Sequence, residues 1–240
     1  MRKFWNWKKE NEARTLYLDG AISDETWWGD EVTPKMFERE LKDGSGDITV
    51  WINSPGGDVF AGAEIYNMLK EYTGKITVKI NGICASIASV IAMAGDTVLM
   101  SPVSTIMIHN PETIAIGDES EMMKARDMLV EIKDAIINAY ELKTGLSRVK
   151  IGHLMDSESW MNAGTAIDLG FADGMMYSAA EKPDETNVSN QIYSRQSVTN
   201  SLIQKLQYSK LKNKHAEGTA GEKKTGKPVD LFFKRLNLLK

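Results

Sequence analysis

Apolar residues along this chain switch between two periods, and the switches predict its elements. ARTLYLD (Ala13–Asp19) alternates as a strand does and is stopped by Gly20. Thr33 and Pro34 then open a helix that runs to about Lys42, with Thr33 as N-cap and Pro34 at the first helical position; Asp43 and Gly44 end it. Residues 48–52 (ITVWI) form a buried strand whose turn is Asn53-Ser-Pro-Gly-Gly57. Asp58 caps the next helix, where Val59, Ala63, Tyr66 and Leu69 recur at helical spacing up to Gly74. Residues 76–80 are a strand, and residues 86–94 a short apolar helix that must be buried. Thr97–Met100 and Thr105–Ile108 are strands, and Glu119–Thr144 is the longest helix. Shorter helices follow at 147–155 and 162–169, with Gly170 stopping the last before Met175-Met-Tyr177.

Strands alternating with helices predict repeated β-α-β crossovers, an α/β fold with a mainly parallel sheet. Ligand sites in such sheets lie beyond the carboxyl ends of the strands. The segments 53–57, 82–86 and 109–111 all follow strands directly, so they are expected at one edge.

Those segments carry candidate chemistry. Ser86 begins a buried helix, where backbone amides favour negative charge; a serine there either caps the helix or acts as a nucleophile. Cys84 and Ala88 stand where the glycines of a Gly-x-Ser-x-Gly elbow would be. His109 ends a buried strand and is the histidine that the sheet pattern places near Ser86; His153 lies on a late polar helix and His215 in the tail. The Gly56-Gly57 turn reads either as a plain turn or as the source of an oxyanion-binding amide, with the Ile87 amide as its mate. Asp156 and Glu158 are the candidate acids for orienting the histidine, and spacing does not choose between them. Cys84 reads as a small buried thiol. The cysteine and histidine spacing supports no metal site, and no phosphate loop is present; no cofactor is expected.

Composition narrows the class. Of 240 residues, 42% are hydrophobic and 26% charged, values of a chain that folds. One cysteine leaves no internal disulfide, which with the absence of a secretory or membrane-spanning pattern predicts a cytoplasmic protein. The net charge of −4 is unevenly spread: residues 181–240 hold 12 Lys and Arg against 6 Asp and Glu, leaving 17 against 27 before them. An acidic body argues against nucleic acid as a partner. The expected organisation is a basic, aromatic segment at 1–12, a catalytic domain at 13–179 and a polar, basic, disordered tail at 180–240, with helices at 203–211 and 231–239 that form only marginally or on a partner.

Taken together, Asn53-Ser-Pro-Gly-Gly57, Gly82-Ile-Cys-Ala-Ser86, Met107-Ile-His-Asn-Pro111, Trp160-Met-Asn-Ala163 and Ala166-Ile-Asp-Leu-Gly-Phe-Ala-Asp173 resemble the Clp protease proteolytic subunit (ClpP) family, serine peptidases of the ClpP/crotonase fold. The resemblance spans residues 16–173 and implies the following roles. Ser86 is the nucleophile and His109 the general base. Gly57 and Ile87 supply the oxyanion-hole amides, Gly56 and Gly117 face substrate, and the helix from Glu119 is a protruding handle that joins two rings. The family's acid is usually aspartate; the ungapped match puts Glu158 there, with Asp156 as the alternative.

The resemblance also implies a homo-oligomeric ring (a heptamer or double ring) acting on proteins or peptides. The family's usual pore-forming N-terminal segment is not matched at the beginning of the chain, which has Trp27-Trp28-Gly29 before the first helix instead, and the tail is extra. Both features resemble the head maturation proteases of tailed phages and prophages, whose substrate is a capsid or scaffold protein and which need no Clp ATPase. The alternative expectations are ATPase-assisted general degradation, a crotonase-type acyl-CoA enzyme, and a non-catalytic assembly protein.

Overall fold

Burial alternates residue by residue along Ile48–Ser54 and along the first half of Ile76–Ala85, the signature of neighbouring strands with one face against the core. The protein is seen as a computed structural model in which residues 3–10, 13–23 and 34–177 are described. In chain order the elements are β1 (Trp5–Glu10), β2 (Ala13–Asp19), α1 (Pro34–Lys42), β3 (Ile48–Ser54), α2 (Val59–Lys70), β4 (Ile76–Ala85) and α3 (Ile87–Ala92). These are followed by β5 (Thr97–Met100), β6 (Thr105–Ile108), α4 (Glu119–Thr144), α5 (Arg148–Asp156), β7 (Ser159–Asn162), α6 (Ala163–Asp168) and β8 (Gly174–Met175).

The expected parallel α/β sheet is present. Its main path is β1-β2-β3-β4-β5-β8, parallel from β2 onward. The first half of β4 pairs with β5 and its second half with β6, so β4 is bonded along both sides. β7 adds antiparallel to β6.

Several elements differ from expectation, each for a physical reason. No strand was expected at Trp5–Glu10, yet β1 pairs antiparallel with β2. Its lysines disguise a period-two pattern that buries Trp5 edge-on against Phe37, ring centroids 5.6 Å apart. β4 does not stop at residue 80; Asn81 and Gly82 stay in the strand, because a Cβ on Gly82 would come within 2.4 Å of Asn53 Oδ1 and only glycine allows that approach. In α2, capped by Asp58 as expected, the buried residues are Ala61, Gly62, Ile65 and Leu69. Ala63 and Tyr66 are only half-buried. Gly62 sets that rotation: a Cβ there would lie 2.2 Å from Ile87 Cγ1. α3 is shorter than expected, but all six of its residues are buried.

Arg14 is the charged residue most deeply set in this core, at 7% exposure. Its guanidinium donates to the carbonyls of Glu40, Leu41 and Gly44 (2.8–3.0 Å) and to the Tyr72 hydroxyl (2.9 Å), and lies 4.7 Å from the Trp7 ring. A cation over the carbonyl end of α1 satisfies acceptors that the helix leaves open.

Helix α4 is buried only toward its end, at Ile136, Ile137, Ala139 and Tyr140; Met122, Met123, Met128 and Val130 are exposed. No helix among the described residues is long and apolar enough to cross a membrane. The expectations for Thr33, Trp27-Trp28-Gly29, His215 and the tail helices lie outside the described residues.

Candidate active site

β4 delivers Ser86 to the edge of the sheet, just before α3. The serine takes φ 55 and ψ −131, a region that non-glycine residues avoid and that clusters at functional sites. The same strained turn from strand to helix exposes a nucleophile in hydrolases whose elbow sequence this chain lacks. Ser86 makes no side-chain cap to α3, so it is not a helix-capping serine. Its Oγ instead lies 2.8 Å from His109 Nε2. Its amide donates to Met107 O at 2.9 Å, and its carbonyl accepts from Ser89.

The turn after β3 is seated directly against this serine. A Cβ on Gly56 would meet Ser86 Cβ at 2.6 Å, and Gly56 has φ +92, so both space and backbone demand glycine. Gly57 forms a parallel bridge with Ile22, in which the Ile22 amide donates to Gly56 O and the Asp58 amide donates to Ile22 O. That pattern leaves Gly57's own N–H turned away from Ile22. Ile87 is the first residue of α3, so its amide has no acceptor within the helix.

His109 follows β6 and is 19% exposed at its side chain. A neutral ring that accepts the Ser86 proton at Nε2 carries its own on Nδ1. The β6–β7 ladder ends on the pair Ile108–Ser159, so His109 and Glu158 are the residues that adjoin its last rung. Glu112 Oε1 lies 3.9 Å from Nδ1, a position the sequence patterns did not single out. Glu158 sits just past α5 with φ 47, the left-handed conformation usual for a residue ending a helix and usually held by glycine, and accepts from Trp160 Nε1 at 3.4 Å. Asp156 faces elsewhere: its Oδ1 accepts from Lys133 Nζ at 2.5 Å and from Asn110 Nδ2 at 3.0 Å. These bonds, with Lys133's charge, hold the Asp156 carboxyl below its ordinary range.

The three strand-end segments therefore meet, as the parallel topology predicts. Gly117 does not join them in a strand: residues 109–118 carry none, and Gly117 is exposed just before Asp118, the N-cap of α4. Cys84 is fully buried, and burial pushes its thiol far above the usual range, which keeps it protonated and inert. No group of His, Cys, Asp or Glu able to hold a metal occurs among the described residues. Patterns also missed Ser89 and Tyr140, whose hydroxyls lie 2.7 Å apart behind Ser86. Ser89 stands three residues after Ser86, the spacing of a hydroxyl bonding back to a carbonyl, and that was the available signal.

The model of the Clp protease family matches residues 3–179. The chain is 31% identical to the ATP-dependent Clp protease proteolytic subunit 1 of Chlamydia abortus, over 71% of this chain and 90% of that protein. It is 32% identical to the subunit of the same name from Chlamydia pneumoniae, over 70% and 88%. Likeness to the ATP-dependent Clp protease proteolytic subunit of Pleurastrum terricola is 31%, over 71% and 86%.

Proposed function

The chain belongs to the Clp protease family and is a serine peptidase of that type, and on that premise we propose how its residues act and in what setting. The observation that carries the reading is the 2.8 Å approach of Ser86 Oγ to His109 Nε2 at a strained turn beside Gly56. His109 takes the Ser86 proton as Oγ attacks the substrate carbonyl, and the Gly57 and Ile87 amides bind the oxyanion. Collapse returns the proton from His109 to the leaving amine and leaves an acyl-enzyme, which water hydrolyses through the same steps. Glu158 holds the imidazole through Nδ1 and stabilises its charged form, a role supported by its place, like that of His109, next to the last ladder pair Ile108–Ser159. Gly117 borders the peptide channel.

The setting is protein degradation as a Clp proteolytic subunit. The relatives named above support it, being ATP-dependent Clp subunits of cellular organisms; they give no support to the expectation of phage capsid maturation. Ring assembly, with the exposed half of α4 as the joining element, and delivery of unfolded polypeptide by a Clp ATPase belong to this reading. Capsid processing stays as a second reading on one feature, the basic tail at 181–240.

The test is labelling of the assembled protein with a fluorophosphonate, read by intact and peptide mass. An adduct on Ser86, lost in Ser86→Ala, is expected; no adduct overturns the hydrolase reading. Digestion of an unfolded protein that depends on a Clp ATPase supports the degradation setting. Cleavage of a co-expressed capsid or scaffold protein without an ATPase replaces it with the second reading.

A further inference from the structure

Resting on that serine-hydrolase reading, we propose that Ser89 and Tyr140 are positioning residues that aim the Ile87 amide at the oxyanion. Ser89 is 0% exposed and Tyr140 1%. Ser89 Oγ lies 2.6 Å from the Ser86 carbonyl oxygen and 2.7 Å from the Tyr140 hydroxyl. A carbonyl only accepts, and Ser89 has one hydroxyl proton, so that proton goes to Ser86 O and Tyr140 donates to Ser89. The relay runs from α4 through α3 into the nucleophile turn.

Its target is the peptide group between Ser86 and Ile87. In a trans peptide the C=O and N–H lie in one plane and point in opposite directions. The Ser86 carbonyl is held on the buried side by the Ser89 hydroxyl and by the Ser89 amide at 2.9 Å. Fixing that carbonyl fixes the direction of the Ile87 N–H, which the proposed chemistry needs on the substrate side. Donors on the carbonyl also polarise the amide at its other end, by roughly 10–30% per bond in condensed phases.

The pair has little to recommend it as packing. Alanine in the otherwise apolar α3 and phenylalanine in α4 would fill nearly the same space without the cost of desolvating two hydroxyls. The Ser86 backbone, at φ 55 and ψ −131, also needs something to hold it. Tyr140 lies on the buried part of α4, beside Ile136, Ile137 and Ala139.

The experiment compares full-length Tyr140→Phe, Ser89→Ala and the double variant for peptide hydrolysis and for inhibition by a peptide boronate, which mimics the tetrahedral oxyanion. Deleting an oxyanion donor outright costs about 10²–10³ in kcat. A misaimed donor is expected to cost less: about tenfold in kcat for Ser89→Ala and a few-fold for Tyr140→Phe. KM should be unchanged, boronate affinity should fall by the same factor, and the double variant should be no worse than Ser89→Ala. Folded variants with wild-type kcat and boronate affinity overturn the proposal, even if their melting temperatures fall. Tyr140→Phe removes a single oxygen and decides the matter alone if Ser89→Ala does not fold. The wild type's fluorophosphonate adduct separates the two failures: without it the hydrolase reading falls as well, and with it only the relay is at stake.

Discussion

Ser86 and His109 meet because their strands are in register. Ala85 pairs with Met107 across β4 and β6, and one and two residues later the chain sets Ser86 Oγ 2.8 Å from His109 Nε2. Two adjacent parallel strands thus present a hydroxyl and an imidazole from the same end.

Removing either member should leave the fold and abolish turnover. Ser86→Ala and His109→Ala are each expected to lower kcat by about 10⁴ or more, non-additively in the double variant. The check is peptide hydrolysis with circular dichroism as the folding control. A single variant that keeps a tenth of the wild-type rate would remove that residue from the chemistry.

The three candidate carboxylates can be separated by amide substitutions. Glu158→Gln is expected to lower kcat by about 10²–10⁴, because the imidazolium loses its partner. Asp156→Asn and Glu112→Gln should change it by less than about fivefold, since Asp156 is engaged by Lys133 and Asn110 and Glu112 is mostly exposed at 3.9 Å. A large loss in Asp156→Asn with a small one in Glu158→Gln would reverse the assignment.

Glu158 also stores strain. With φ 47 it holds a conformation that costs a non-glycine residue about 1–2 kcal/mol. Glu158→Gly is expected to raise thermal stability while removing activity. Loss of both together would mean that the carboxylate holds the fold rather than the chemistry.

At Gly56 the space for a side chain is already taken by Ser86 Cβ, 2.6 Å from where a new Cβ would stand. Gly56→Ala should therefore displace the serine, destabilise the protein by about 2 kcal/mol or more and stop fluorophosphonate labelling. Melting curves and labelling rates measure the two effects; labelling at the wild-type rate would show that the turn yields instead.

How much of this could be read from residues alone depended on the kind of constraint. The meeting of the Gly56, Ser86 and His109 segments follows from a topological rule about strand ends and needs no contact information. The two candidate acids, Glu158 and Asp156, lie two residues apart just before β7, a four-residue edge strand whose SWMN sequence has no periodic signal, so no pattern chose between them. Tyr140 and Ser89 were hidden because a buried hydroxyl pair looks in sequence like ordinary helix filling. Lys8 and Lys9 obscured the aromatic alternation of β1 in the same way.

Burial of neutral acids sets an alkaline limit. Burial raises the Cys84 thiol above its ordinary 9.0 and the Tyr140 phenol above its ordinary 10.0. Both folded values are raised, so the stability each lends is complete below the unfolded value and is lost as pH climbs past it, when only the unfolded chain ionises. The Cys84 contribution should thus hold to about pH 8 and then be lost, lowering the melting temperature, and Cys84→Ala should flatten the first part of that fall. An unchanged alkaline slope in Cys84→Ala would refute the account.

β4 carries a consequence for how the enzyme fails. Paired on one side with β3 and on the other with β5 and then β6, its amides exchange with solvent only when most of the sheet opens. His109 and Glu158 instead flank the short β6–β7 pair, whose outer strand has no further neighbour among the described residues. Mild denaturant or heat should peel that pair first. The enzyme then falls silent while its nucleophile stays seated on the last strand to open, and regains activity when β7 closes again.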